Sequence, residues 1–577
     1  MPPWRVHPAI RQSCPPAGRS RPSRPPEGAD PLAADAPVSS SPAWQRGLVA
    51  RWLVSVEHRR IGILYLGTAG FFLLLAGLVA VLMRIQLIGP DVDMIGQRTY
   101  LGMTSFHGIA MVFFFALPLV LGLANAIVPL QAGARRDAYP RINAVAFWVF
   151  LFGGLCVALS PLAKGGSAGA GWTSYPPFSL ATGGNGHDLV LMGLILASAA
   201  ALATVVNLVV TVRHHAAPGM TWHTLPVFAK SLVVLVAGLL VAVPLQIAGC
   251  VFLLLAREWP SAFDFFVTTD GDAPVLRSGW IWLFGQPVAY LLLVPVLGIV
   301  AEIASTFTRG RFRGGRILVT SLLAFTALVV LTWLHHTYST GTGDKPSTVL
   351  LVLAVLALLP IAAAVAAIAQ SGLLSPATLS EPAAQFAVGA LVLLVLGGLS
   401  GLFLAIWGND RGLRGTAFAT GHAHYLLFGP ALFALLGGLV YWWPKLFGRI
   451  LDRKLVGGAF ALLFCGFVIS FLLQFVVGDK GVARRVSSYE GVEGVEALQV
   501  VSSIFAFVAA IGVLALVGAV AMSRRARRAG NDPWQGDTLE WFTASPPPRG
   551  NFDSLPPVTS DRPLADLRRT LREQGAL

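Results

Sequence analysis

The chain has 577 residues, 55% of them hydrophobic and 12% charged, about half the charge usual in a soluble protein. That composition defines an integral membrane protein. It excludes intrinsic disorder, fibrous repeats and a disulfide scaffold, because glycine shows no strict period and only Cys14, Cys156, Cys250 and Cys465 occur. The 42 Lys and Arg against 28 Asp and Glu give +14, which in so apolar a chain reflects membrane topology rather than nucleic-acid binding.

Residues 1–46 carry eleven prolines among Ser, Arg and Ala with no apolar period, so they bury too little surface to offset chain entropy and read as a disordered tail. They lack the apolar core of a secretory signal. Twelve apolar runs follow, each about the 20 helical residues that a bilayer requires. They lie near 61–84, 101–130, 143–163, 185–212, 231–256, 279–307, 317–337, 348–372, 386–407, 417–443, 456–478 and 497–522. The chain is therefore expected to hold an all-α membrane domain over 47–523 and a polar tail over 524–577. The segments on the side of the N-terminus hold 20 Lys and Arg against 10 in the opposite loops, which places both termini in the cytoplasm. No phosphate loop or haem c attachment motif is present, so any chemistry lies within the membrane.

Apart from His187 at the edge of the fourth run, five of the eleven histidines fall inside apolar runs: His107, His335, His336, His422 and His424. A lone imidazole in hydrocarbon is commonly a helix-packing donor, but five in three spans, with two close pairs, point to ligands for haem iron and copper. At about 100° per residue, His422 and His424 project from nearly opposite sides of one helix and face different partners. His335 and His336 are adjacent and can reach one metal. His107 can pair with either His422 or His424 across a planar cofactor as a bis-imidazole, low-spin haem. The other then holds a five-coordinate haem facing the 335/336 pair.

These histidines stand within a set of motifs: Arg59-Arg60-Ile61-Gly62 with Arg84, Phe106-His107-Gly108, Val128-Pro129-Leu130 and Ala138-Tyr139-Pro140-Arg141-Ile142-Asn143. Further along come Gly171-Trp172-Thr173, Tyr175-Pro176-Pro177, His335-His336, Gly421-His422-Ala423-His424-Tyr425, Trp443-Pro444-Lys445 and Arg484-Arg485. Together they resemble subunit I of the haem-copper oxidase superfamily, in its cytochrome c oxidase-like branch, from about His58 to Ala521. The resemblance implies twelve helices enclosing two haems and a binuclear centre. It implies His107 and His424 as ligands of the low-spin haem, His422 as the proximal ligand of the high-spin haem, and His335 and His336 as ligands of the neighbouring copper. Arg484 and Arg485 would meet haem propionates, for which guanidinium forks are well matched. Arg84 would contact a ring substituent of the low-spin haem where snorkelling is the plainer account. Trp172 would pack near the haems or anchor at the interface.

The chain departs from the family where copper and protons are handled. The family's His-Pro-Glu-Val-Tyr motif reads Gln286-Pro287-Val288-Ala289-Tyr290, so the third copper ligand becomes an amide, a weak ligand for Cu(I), and no His–Tyr cross-link can form. Tyr290, one turn from Gln286, remains as a donor. Val288 and Ala364 replace a glutamate and a lysine of the proton routes, and the aspartate of the other route aligns with Arg136, Asp137 lying one place off. Arg414-Gly415 stands where a His-Asp pair marks an outer magnesium site, and Ala423 replaces a Phe.

The function implied is a respiratory terminal oxidase that passes electrons from cytochrome c or a similar donor to dioxygen, without normal proton pumping. The alternative is a nitric oxide reductase of the same branch, since coupling two NO molecules needs neither a tyrosyl radical nor a pump. A non-catalytic haem-binding paralogue is the third reading. A twelve-helix transporter would share the spans but not the histidines. The chain carries no redox centre for the donor, so a second subunit bearing copper or haem c is expected. O2 or NO would be the substrate, the metal beside the high-spin haem would be copper or another weakly held ion, and the inner (plasma) membrane is the expected location.

Overall fold

The computed structural model describes residues 52–176, 178–182, 184–263, 265–266, 287–309, 312, 314–332, 344–406 and 410–576. The segment 1–46, Gln286 and the His335-His336 pair lie outside them. The described chain is helical, and the pairings outside helices are two isolated bridges, Thr416 with Ala483 and Arg449 with Arg528.

Among the described residues, eleven helices are long and apolar enough to cross a membrane, and one shorter apolar helix occupies the seventh expected span. In chain order they are α1 (His58–Gln86), α2 (Gln97–Gln131), α3 (Pro140–Leu159), α4 (Gly184–His215), α5 (Val227–Glu258) and α6 (Pro287–Phe307). Then follow the shorter α7 (Gly315–Thr332), α8 (Asp344–Ala369), α9 (Pro382–Ile406), α10 (Ala417–Phe447), α11 (Arg453–Asp479) and α12 (Glu496–Met522). Each matches one run read from the sequence. Neighbours in the chain pack as pairs, α3 with α4, α7 with α8 and α11 with α12, while α9 lies along α10.

Hydropathy does not separate inner from outer helices, because lipid is as apolar as a protein core. Polar side chains do. The apolar stretches of α2 and α6 are 94% and 89% buried, against 17% for α12. The inner α2 carries Ser105, His107, Asn125 and Gln131, and α6 carries Glu302, groups too costly to present to hydrocarbon. The outer α3 instead exposes Ile142, Val145, Phe152, Leu155 and Leu159, a stripe at helical spacing that faces lipid.

Two helices depart from α geometry. Ala110–Ala116 in α2 and His424–Phe428 in α10 are π-helical, an arrangement frequent at functional sites. A Cβ on Gly397 of α9 would lie 2.3 Å from Leu426 Cα, so only glycine permits α9 to approach the π segment this closely.

The segment after Arg525 is not the loose polar tail that its proline-rich composition suggests. It folds onto one end of the bundle and ends in a short helix, α13 (Pro563–Glu573). Trp541 and Leu539 are fully buried. Trp541 and Trp534 donate to the Tyr441 hydroxyl (3.0 Å) and carbonyl (2.9 Å). Lys445 Nζ donates to the carbonyls of Thr543 (2.7 Å) and Asn531 (3.1 Å). His58 bridges the two parts, bonding Asn125 O through Nδ1 (2.7 Å) and Asn551 Oδ1 through Nε2 (3.0 Å). A few aromatic and amide anchors fix this segment, and average composition does not register them.

Candidate functional site

His107 lies just before the π stretch of α2, and its Nδ1 bonds Ala76 O of α1 at 2.9 Å. His424 opens the π stretch of α10, its Nδ1 2.8 Å from Thr420 O one turn back. A carbonyl can only accept, so both rings carry the proton on Nδ1 and present the lone pair of Nε2. The His424 ring stacks on Phe471 of α11, with centroids 3.8 Å apart and planes 13° off parallel. His107 and His424 are within electrostatic reach of one another. Both remain half-buried although Phe106, Ile109, Gly421 and Tyr425 beside them are buried.

His422 turns the other way. Its Nδ1 lies 2.8 Å from Ser400 Oγ on α9, and a Cβ on Gly401 would come within 3.2 Å of its Cε1. The spacing of two thus directs one imidazole toward α9 and the other toward α11, as the helical step requires. Ser400, Thr420 and Phe471 fix the rings and were not legible in the sequence, because no spacing rule links them to the histidines.

Above this layer the loop between α11 and α12 brings Arg485 over α2. Arg485 holds φ +67°, a left-handed conformation that costs a side-chain-bearing residue about 1–2 kcal/mol. Its Nη1 donates to Ala170 O at 3.1 Å. Gly171 is itself at φ +80°, a left-handed conformation that favours glycine, and a Cβ there would displace the Arg485 guanidinium, 2.2 Å away at Nη1. Burial, and next the charge of Arg484, push the Arg485 guanidinium down to about 10, so this pair is suited to receive anions. Tyr175 is half-buried nearby, and desolvation of its phenol raises it far above the ordinary value, with Arg414 and Arg484 opposing.

Trp172 packs over Gly108, where a Cβ would meet it at 3.0 Å, and stands edge-on to Phe428 at 6.1 Å. It therefore lies beside His107 rather than anchoring at the interface. Arg84 does not snorkel. Its Nη2 donates to Gln499 O and Oε1 (3.0 Å each) and to Ser503 Oγ (2.9 Å) of α12. Its Nε is buried with no partner among the described residues, a donor open to a further group.

Tyr290 is half-buried on α6. The remaining expected metal residues, Gln286, His335 and His336, lie outside the described residues. Val288 and Ala364 are buried, so no titratable side chain stands at either place. Arg136 is exposed, whereas Asp137 is buried and accepts from Asn143 Nδ2 at 2.7 Å, which also donates to Asn125 Oδ1 at 2.6 Å. Asp137, one place from Arg136, is thus the carboxylate that faces the interior of the bundle here.

Comparison with known proteins decides the family. Residues 60–509 match the family described as "Cytochrome C and Quinol oxidase polypeptide I". The chain belongs to the haem-copper oxidase subunit I family. It is 36% identical to "Cytochrome c oxidase subunit 1" of Bacillus subtilis, with 89% of this chain and 82% of that protein covered. It is 37% identical to "Putative cytochrome c oxidase subunit 1-beta" of Streptomyces coelicolor, covering 90% and 91%. It also matches "Heme-copper oxidase subunit I+III" of Aeropyrum pernix at 36% identity, over 89% of this chain but only 63% of that longer protein. A solved structure described as "Cryo-EM structure of a heme-copper terminal oxidase dimer provides insights into its catalytic mechanism" shares the fold, with TM-score 0.68 at 17% identity over 82% of this chain and 85% of that one. As a haem-copper oxidase subunit I, this protein is a membrane oxidoreductase subunit of the respiratory type.

Proposed function

We propose that this chain is the catalytic subunit of a terminal oxidase, taking electrons from cytochrome c or a similar donor through a second redox subunit and reducing O2 to water. The observation that carries this reading is the pair His107 and His424. Each is pinned at Nδ1 by a backbone carbonyl and presents Nε2, while His422, two residues away, is oriented independently by Ser400.

These residues fit two haems. His107 and His424 would ligate the low-spin haem and His422 the high-spin haem. Arg484 and Arg485 would meet propionates, the orphaned Arg84 Nε would meet a ring substituent, and Trp172 would wall the site beside His107. His335, His336 and Gln286 would hold copper or another metal, weakly because one donor is an amide. The bound groups supply the one-electron carriers and the centre where O2 is reduced. The protein holds the imidazole tautomers, offers the Tyr290 hydroxyl and surrounds the site with apolar helices. Val288 and Ala364 offer no proton to exchange, so turnover proceeds without normal proton pumping. The chain is a multi-pass plasma-membrane protein with both termini cytoplasmic.

Metal analysis with O2 and NO consumption, measured on the purified complex, tests this reading. Two haems per chain and rapid O2 consumption are expected. Consumption of NO to N2O without appreciable O2 uptake would assign the chain to the nitric oxide reductase alternative.

A further inference from the structure

The end of the bundle that carries the C-terminal segment has a cleft of about 740 Å³ whose lining includes none of His107, His422 and His424. Three pieces of chain wall it: the loop between α2 and α3 with Gly133, Arg135 and Arg136, the end of α4 with His215 and Ala217, and the C-terminal segment with Leu555. The walls are fixed by backbone. Ala217 N donates to Ala132 O at 2.8 Å, and Asn551 Nδ2 donates to Ala134 O at 2.7 Å. Gly133, at φ +69°, has no room for a Cβ, which would fall 2.6 Å from that of Ala217.

Arg135 and Arg136 are exposed and His215 is half-buried, and none of the three has a hydrogen bond or ion pair among the described residues. Two guanidinium forks and an imidazole line one cleft whose lining includes no acid, a donor set chemically suited to phosphate oxygens. The cleft also adjoins the start of a lipid-facing helix face. Helix α3 begins at Pro140, directly after this loop, and its lipid-facing stripe starts with Ile142 and Val145, beside the exposed Tyr139. Its volume falls in the range of pockets for small organic molecules, several hundred Å³, well beyond what a bare phosphate fills.

We infer that this cleft binds a phosphate-bearing anion, held by Arg135, Arg136 and His215, and that an anionic phospholipid headgroup at the membrane surface is its source. Occupancy would tie the C-terminal segment to the ends of α2 and α4. The inference is independent of which gas the enzyme reduces.

Native mass spectrometry of the purified complex, titrated with phosphatidylglycerol and with phosphatidylcholine, tests it. Equilibrium dialysis against radiolabelled inorganic phosphate runs beside it. Phosphatidylglycerol is expected to be retained over phosphatidylcholine. The Arg135→Gln/Arg136→Gln/His215→Gln variant should lose at least about tenfold in retention, since a single hydrogen bond to a charged group is worth about 1.5 kcal/mol or more. All three side chains lack protein partners, so the variant should keep its haem spectrum. Arg524→Gln/Arg525→Gln, which neutralises two exposed arginines away from the cleft, should leave retention unchanged. Binding of inorganic phosphate that depends on the same three residues, without lipid selectivity, would support the site and assign it a soluble anion. Retention unaltered in the triple variant, equal loss in the control variant, or no anion bound in either arm would overturn the inference.

Discussion

An imidazole whose Nδ1–H is given to a backbone carbonyl has its tautomer and ring plane set before any metal arrives, which lowers the entropy cost of ligation. His107 and His424 both have this support. Replacing either with Ala should abolish the low-spin absorption bands while a high-spin signal persists, because His422 is held by Ser400 on another helix. Optical and electron paramagnetic resonance spectra check this, and retention of both signals in either variant would refute the ligand assignment. A second residue-scale prediction concerns the metal beside the high-spin haem. With two imidazoles and an amide, copper should be substoichiometric or readily removed by chelator, and Gln286→His should raise its retention. One tightly bound copper per wild-type chain, measured by elemental analysis, would show that Gln286 is no defect.

At the scale of elements, the helices were legible because apolar runs of bilayer length have few alternative structures, and the histidine spacing was legible because the helical step fixes direction. The C-terminal segment was not. Its docking depends on Trp534, Trp541, Glu540 and Asn551 meeting Tyr441, Gln131 and His58, pairings separated by 93 or more residues that no local pattern encodes. The same limit hid the inward turn of Asp137. Glu540 makes docking of this segment pH-dependent. Its Oε1 accepts from Gln131 Nε2 at 3.0 Å and Trp442 Nε1 at 3.4 Å, while Oε2 is buried without a partner. Burial holds its carboxyl above the ordinary value, with Glu302 of α6 facing it as a second acid and Lys445 of α10 as the opposing cation. The docked state therefore binds a proton that the released state gives up. Docking should be firmest below the ordinary carboxylate range and weaken as pH rises through the raised value of Glu540. Hydrogen exchange of residues 526–576 across about pH 5 to 8 should show this slope, and Glu540→Gln should flatten it. An unchanged slope in that variant would place the titrating group elsewhere.

At the scale of the whole molecule, the question is how protons reach a centre buried midway through the bundle. Asp137, Asn143 and Asn125 form a connected polar cluster near the end that carries the C-terminal segment, so a proton can be taken up there. Farther in, Val288 is buried beside Tyr290 on α6, and Ala364 is buried on α8. An alkyl side chain cannot accept and release a proton, and a gap in a chain of exchanging groups blocks relay however good the groups on either side are. On the proposed reading, a proton entering at Asp137 meets alkyl side chains at Val288 and Ala364, and this is the basis for expecting no extra proton to be driven outward. The exposed Asp479 and Glu490 at the other end of the bundle are candidates to supply the protons consumed in chemistry. Reconstituted in vesicles with a reduced donor, the complex should turn over without ejecting protons beyond those the donor releases, and with little membrane potential. A pH-sensitive dye outside the vesicles and a potential-sensitive dye across the membrane measure the two quantities. Acidification beyond donor release, or a large potential from turnover alone, would show that protons pass Val288 by another route.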